Sequence, residues 1–144
     1  MAHTKLPHNF YFRLMEFLLT AKQQVISISD EFGLTSMQAM TLLLTPENDA
    51  RPMSGFCKLF HCDASNVTGI VDGLEQKHLV SRQEHPTDRR IKVIRLESAG
   101  KKMREKIVKK LSESSGFLFD PLDEKERIEF VRIIEKLAAS NRSI

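Results

Sequence analysis

Apolar side chains recur along this chain at helical spacing, broken once by a stretch at strand spacing. Between Pro7 and Phe32, the residues Phe10, Leu14, Phe17, Leu18, Ala21, Val25 and Ile28 fall every three or four positions. That period predicts one long helix with a single apolar stripe. Pro7 suits a first helical position and Gly33 is a natural stop. Thr35 and Ser36 each offer a capping oxygen to a second, short helix ending at Leu44, ahead of Pro46. Thr45 to Pro52 (TPENDARP) reads as a loop.

A third helix is predicted over Ser54–Phe60, then a tight turn at His61-Cys62-Asp63. Asp63 caps a fourth helix from Ala64 to about Lys77, in which Val67, Ile70, Val71 and Leu74 make an i, i+3, i+4, i+7 set. Leu79-Val80 opens an extended run, Pro86-Thr87-Asp88 is a turn, and Ile91 to Leu96 is rich in β-branched residues, so the segment reads as a β-hairpin. Ser98 starts a fifth helix on Met103, Ile107, Val108 and Leu111. Gly116 and Pro121 punctuate the next stretch. Asp123 and Glu126 have capping-box spacing before a last helix carrying Ile128, Phe130, Val131, Ile133, Ile134 and Leu137. The fold class is therefore mainly α with a small β-hairpin. Helix, turn, helix and basic hairpin, in that order, describe a winged helix-turn-helix flanked by further helices.

Charge sharpens the picture. The whole chain of 144 residues carries a formal +3, but eight bases (Arg82, Arg89, Arg90, Lys92, Arg95, Lys101, Lys102, Arg104) face three acids between Arg82 and Arg104. A basic stripe on a nearly neutral body is the footprint of a polyanion binder. With 41% apolar and 28% charged residues the balance is globular. No apolar run is long enough for a membrane span and no secretory leader opens the chain, so a cytoplasmic location is expected. Two cysteines, Cys57 and Cys62, do not make a disulfide framework.

The run Ala64-Ser65-Asn66-Val67-Thr68-Gly69-Ile70-Val71-Asp72-Gly73-Leu74-Glu75, then Leu79-Val80, Pro86-Thr87-Asp88-Arg89-Arg90, Leu96 and Gly100, resembles the MarR family of bacterial transcriptional regulators. The resemblance implies a homodimer with intertwined terminal helices, each subunit placing a winged helix on half of a near-palindromic site. It also implies release, as from a repressor, by a small aromatic effector. The matching organisation is residues 1–34 for dimerisation, 35–100 for the DNA-binding domain and 101–144 for dimerisation again. The sequence departs from the family pattern at Gly73 for a common Arg, His78 for Gly, Glu97 for Thr, and Phe56, Cys57 and Phe60 for Leu, Ala and Leu.

These readings select candidate residues. On the fourth helix, Ser65, Asn66, Thr68 and Gly69 lie off the apolar stripe, where they would meet bases or phosphates. Gly69 and Gly73 share one face, a costly choice in a helix unless something approaches the bare backbone. In the wing, Arg82, Asp88, Arg89, Arg90 and Lys92 are the DNA candidates, with Asp88 orienting the Arg90 fork, Arg82, Lys92 and Arg95 near phosphates, and His85 adding a contact. Phe10, Leu14, Phe17, Ile128, Val131 and Ile134 are the dimerisation candidates; Phe10, Tyr11, Phe12 and Phe17 could instead line an effector pocket. Cys57 and Cys62 read as small core hydrophobes, with an oxidant switch as the alternative. The five histidines, His3 among them, show no metal-ligand spacing. No catalytic motif is present, so neither an enzyme nor a bound cofactor is expected. The competing function is a winged-helix protein-interaction module without specific DNA binding.

Overall fold

The computed structural model describes residues 6–113 and 118–141; His3 and Gly116 lie outside them. Its elements run α1 (Phe10–Glu31), α2 (Ser36–Leu44), β1 (Ala50–Pro52), α3 (Met53–Phe60), α4 (Ala64–Gln76), β2 (Val80–Glu84), β3 (Lys92–Leu96), α5 (Ser98–Glu113) and α6 (Glu124–Asn141). Polar capping fixes several starts. Thr35 Oγ1 accepts from Gln38 N–H and Gln38 Oε1 accepts from Thr35 N–H, both at 3.1 Å, a full capping box on α2. Asp123 and Glu126 make the same reciprocal pair on α6, each bond 2.9 Å.

One element departs from expectation. Residues 50–52, read as loop, form strand β1, which pairs antiparallel with β3, Ala50 opposite Arg95 and Pro52 opposite Val93. The sheet order is β1-β3-β2, so the expected hairpin is the outer two-thirds of a three-stranded sheet. β1 has only three residues and ends in proline, which an edge strand tolerates.

The fold divides into two compact units. One spans Ala21–Ser112; the other comprises the described residues up to Thr20 and from Glu113 onward. The first buries Leu42, Phe56, Val67, Val71, Leu74, Ile94 and Leu96 around the helix-turn-helix. Ile28 of α1 and Ile107 of α5 complete that core, so the winged-helix unit reaches past residues 35–100 at both ends. Gly100 sits so close to the Leu79 carbonyl that a Cβ would overlap it, which lets α5 start directly against the entry to β2. In the second unit, Phe17, Phe119 and Phe130 form an aromatic cluster with centroids 5.3–6.3 Å apart. No described residue of α6 is buried.

Candidate nucleic-acid interface

The turn between α3 and α4 sets the start of α4. α3 ends at His61, which adopts a left-handed conformation (φ 50°) and donates its N–H to the Cys57 carbonyl. Two residues on, Asp63 caps α4: its Oδ1 accepts from Asn66 N–H and from Ser65 Oγ, each at 2.9 Å. The Asn66 bond, then the Ser65 bond, holds the Asp63 carboxyl below the usual carboxylate range. With Val67, Val71 and Leu74 buried, Ser65, Asn66, Gly69, Asp72 and Gln76 are exposed on the opposite side and Thr68 is half-buried. α4 thus presents a small, polar surface beginning at its first turn, the part of a recognition helix that reaches base edges.

The two glycines of that helix serve different ends. A Cβ on Gly69 would meet nothing, so this position is open to an approaching partner. A Cβ on Gly73 would overlap the Gln38 amide nitrogen. Gly73 therefore accommodates the capping glutamine of α2, and the reading of Gly73 as an opening for DNA is corrected. Gln38 escaped notice in the sequence because it reaches Gly73 from another helix.

In the wing, β2 and β3 pair from Val80 opposite Leu96 to Glu84 opposite Lys92. The tip is closed by His85 N–H to the Ile91 carbonyl and Ile91 N–H to the Asp88 carbonyl. His85 Nδ1 lies 3.0 Å from Thr87 Oγ1. Asp88 accepts from Arg90 at backbone and side chain, and these bonds hold its carboxyl below the usual range. The Arg90 side chain is nevertheless 92% exposed. Arg89 is equally exposed, 3.9 Å from Glu84, and Lys92 Nζ is 3.2 Å from the same carboxylate.

Arg82 is placed differently from the reading that set it beside phosphates. Its guanidinium bonds Asp72 and Glu75 of α4, and Glu75 also accepts its backbone N–H at 2.9 Å. The bond to Asp72, and behind it Glu75, raises the arginine pKa further. Arg82 is thus committed to tying the wing to α4. The carboxylates fall three residues apart on α4, a spacing visible in the sequence but meaningful only once β2 lies alongside.

The dimerisation candidates lie in the other unit. Phe10, Ile128, Val131 and Ile134 are exposed, whereas Leu14 and Phe17 are half-buried, Phe17 within the aromatic cluster. Tyr11, Phe12, Leu19 and Leu137 are also exposed, each by more than half. Cys57 and Cys62 are reduced and partly exposed at the edge of the core, not fully inside it. Among the described residues, no His, Cys, Asp and Glu group could hold a metal ion, and no helix is long and apolar enough to cross a membrane.

Comparison with known proteins gives a concordant result. Residues 34–92 match the family model described as MarR family. Over 113 residues the chain is 25% identical to YhbI of Bacillus subtilis (strain 168), an uncharacterised HTH-type transcriptional regulator, covering 78% of this chain and 71% of YhbI. Among solved structures, MarR superposes with a TM-score of 0.78 at 20% identity, over 99% of this chain and 97% of its own. CouR from Rhodococcus jostii RHA1, bound to p-coumaroyl-CoA, gives 0.76 at 23% identity, over 94% and 95%. The MepR–DNA complex of S. aureus gives 0.64 at 23% identity, over 94% and 99%. These structures share the winged-helix fold.

Proposed function

We propose that this chain, which carries a MarR-family domain at residues 34–92, is a transcriptional regulator that binds double-stranded DNA as a homodimer in the cytoplasm. The observation that carries the reading is the wing tip, where an almost fully exposed guanidinium, Arg90, is held in one direction by Asp88 beside the open polar face of α4. α4 enters the major groove, with Ser65, Asn66 and Thr68 at base edges or phosphates and Gly69 allowing close approach. Arg90 enters the adjacent minor groove, where the potential is most negative, and Arg89 and Lys92 sit near phosphates. Arg82 positions the wing and makes no phosphate contact of its own.

The exposed apolar faces of α1 and α6 argue for the dimer, because contiguous apolar surface of this kind marks an interface. Within residues 1–34 and 101–144, the stretches outside Ala21–Ser112 supply that interface, and residues 35–100 carry the DNA-binding elements. Two winged helices related by a two-fold axis read a near-palindromic site. The protein acts as a repressor, and a small aromatic ligand loosens it; the CouR complex with an aromatic thioester supports that part. No catalytic chemistry is assigned.

Selection of bound duplexes from a random DNA pool tests the proposal. Two inverted half-sites about one helical turn apart are expected, with affinity that falls steeply as salt rises. No enriched sequence, with binding absent at low salt, would overturn the reading and favour a protein-interaction module.

A further inference from the structure

We propose that Asn66 is the specificity-determining residue of α4, and that the base it selects is adenine, whose major-groove edge its carboxamide matches with two hydrogen bonds. The inference rests on the DNA-binding function proposed above.

The composition of α4 narrows what it can read. Ala64–Gln76 contains no lysine and no arginine. The side chains that most often select guanine are therefore missing from this helix. Its polar groups are instead two hydroxyls, on Ser65 and Thr68, two carboxylates, on Asp72 and Glu75, and two carboxamides, on Asn66 and Gln76.

The structure removes most of these from contention. Arg82 binds both carboxylates. Ser65 Oγ gives its proton to Asp63 at 2.9 Å and is left with acceptor capacity alone. Thr68 is half-buried in the wall of a hollow that α3, α4 and β3 enclose. Gln76 is the last residue of the helix, about 15 Å along its axis from Asn66 and away from the end that reaches base edges.

Asn66 is exposed in the first turn. Its backbone N–H is held by Asp63 at 2.9 Å, which anchors the residue, while among the described residues its carboxamide makes no hydrogen bond. On the exposed surface of the first two turns, it alone keeps both a donor and an acceptor for a base. Asparagine is short, so it reaches a base only where the backbone comes close. Gly69 lies three residues on, over the same face, and a Cβ there would meet nothing. The bare backbone at Gly69 thus gives Asn66 its reach.

The choice of base follows from donors and acceptors. Adenine presents N7 as acceptor beside its N6 amino group as donor. Asn66 Nδ2 donates to N7 and Oδ1 accepts from N6. Guanine presents two acceptors, N7 and O6, and would leave Oδ1 facing O6 without a proton between them.

The test measures affinity of the full-length protein by fluorescence anisotropy, using the selected duplex and versions altered one base pair at a time. One A·T pair in each half-site is expected whose replacement by G·C weakens wild-type binding roughly 5- to 150-fold. Placing 7-deazaadenine there, which removes only N7, should also weaken it. Asn66→Ala keeps the N–H that Asp63 holds, so it should melt like the wild type. It should bind the A·T and G·C duplexes alike and ignore 7-deazaadenine, while replacements elsewhere cost it what they cost the wild type. Asn66→Arg should prefer G·C at the same position, a gain that a merely structural residue would not produce. Should Asn66→Ala bind too weakly to compare, Asn66→Arg decides: a switch to G·C supports the inference and an unchanged preference overturns it. If Asn66→Ala keeps every wild-type penalty, or 7-deazaadenine has no effect at any adenine, the inference fails while the proposed function stands. If the position released in Asn66→Ala requires guanine, the choice of adenine is wrong. If the wild type enriches no sequence, the proposed function fails and this inference with it.

Discussion

Asp88 grips Arg90 at three points. Oδ1 accepts from the arginine backbone N–H at 3.0 Å and from Nε at 3.1 Å, while Oδ2 accepts from Nη2 at 3.3 Å. One carboxylate thus fixes both the turn and the fork that projects from it. An arginine entering a groove must otherwise surrender rotamer freedom of up to roughly 2 kcal/mol. Part of that cost is met before DNA arrives.

The two glycines of α4 should separate cleanly. Gly69→Leu fills empty space and removes a helix-interior glycine, so it should stabilise the fold by about 0.5–1 kcal/mol while abolishing DNA binding. Gly73→Ala should gain almost nothing, because the new methyl displaces Gln38 from its bond to Thr35. In a Gln38→Ala background the same change should stabilise by about 1 kcal/mol. Denaturant titration of the wild type, the two single variants and the Gln38→Ala, Gly73→Ala double variant reads the coupling; additive effects would show that Gln38 does not occupy the Gly73 notch.

Arg82→Ala tests the link between wing and helix. Removing the guanidinium leaves Asp72 and Glu75 without their cation and should cost about 1 kcal/mol of stability, the partial exposure of the pair keeping the figure small. DNA binding should weaken with the slope of affinity against salt unchanged, since no phosphate contact is lost. A slope lower by about one unit would show instead that Arg82 contacts a phosphate.

The features legible in the sequence are those that depend on neighbours along the chain. The six helices among the described residues were, because Val67, Ile70, Val71 and Leu74 and their counterparts carry a period, and Thr35, Asp63 and Asp123 carry caps. The Asp88–Arg90 pair was, because both partners sit within one turn. β1 was not: three residues show no alternation, and only β3 makes them a strand. Gln38 against Gly73, and Asp72 and Glu75 against Arg82, were hidden because each pairing joins separate elements. His78, at a position where the MarR pattern that this sequence resembles commonly has glycine, adopts φ 56°, so the backbone demand is met here by a residue other than glycine.

The exposed face of α6 makes a prediction about assembly. Ile128, Val131 and Ile134 are 65%, 55% and 48% exposed in one chain. If a second copy covers them, Ile134→Asp buries an unpaired charge at the interface and should yield a helical monomer or an unfolded chain. Multi-angle light scattering should give twice the chain mass for the wild type at micromolar concentration. A wild-type monomer would contradict the interface.

Acid should loosen the start of α4. The Asp63 carboxyl titrates below its unfolded value because it accepts from Asn66 and Ser65. Its contribution is complete above the ordinary carboxylate range and disappears as pH falls through the lower, folded value. Asp63→Asn keeps a capping oxygen but cannot titrate. Melting temperature should therefore fall less steeply in this variant between about pH 5 and pH 2. Parallel curves would show that the cap carries no pH dependence.

The most direct measurement is the sign of the Asp88→Ala effect on affinity for the selected duplex, taken across a salt series. Arg90→Ala alone should weaken binding and lower the salt slope by about one unit. Removing Asp88 deletes a negative charge beside DNA, which by charge alone strengthens binding. Because the carboxylate holds the Arg90 fork, Asp88→Ala should weaken binding in the wild-type background and become neutral or favourable in Arg90→Ala. Tighter binding by Asp88→Ala with Arg90 intact would contradict the oriented wing and leave only a basic patch.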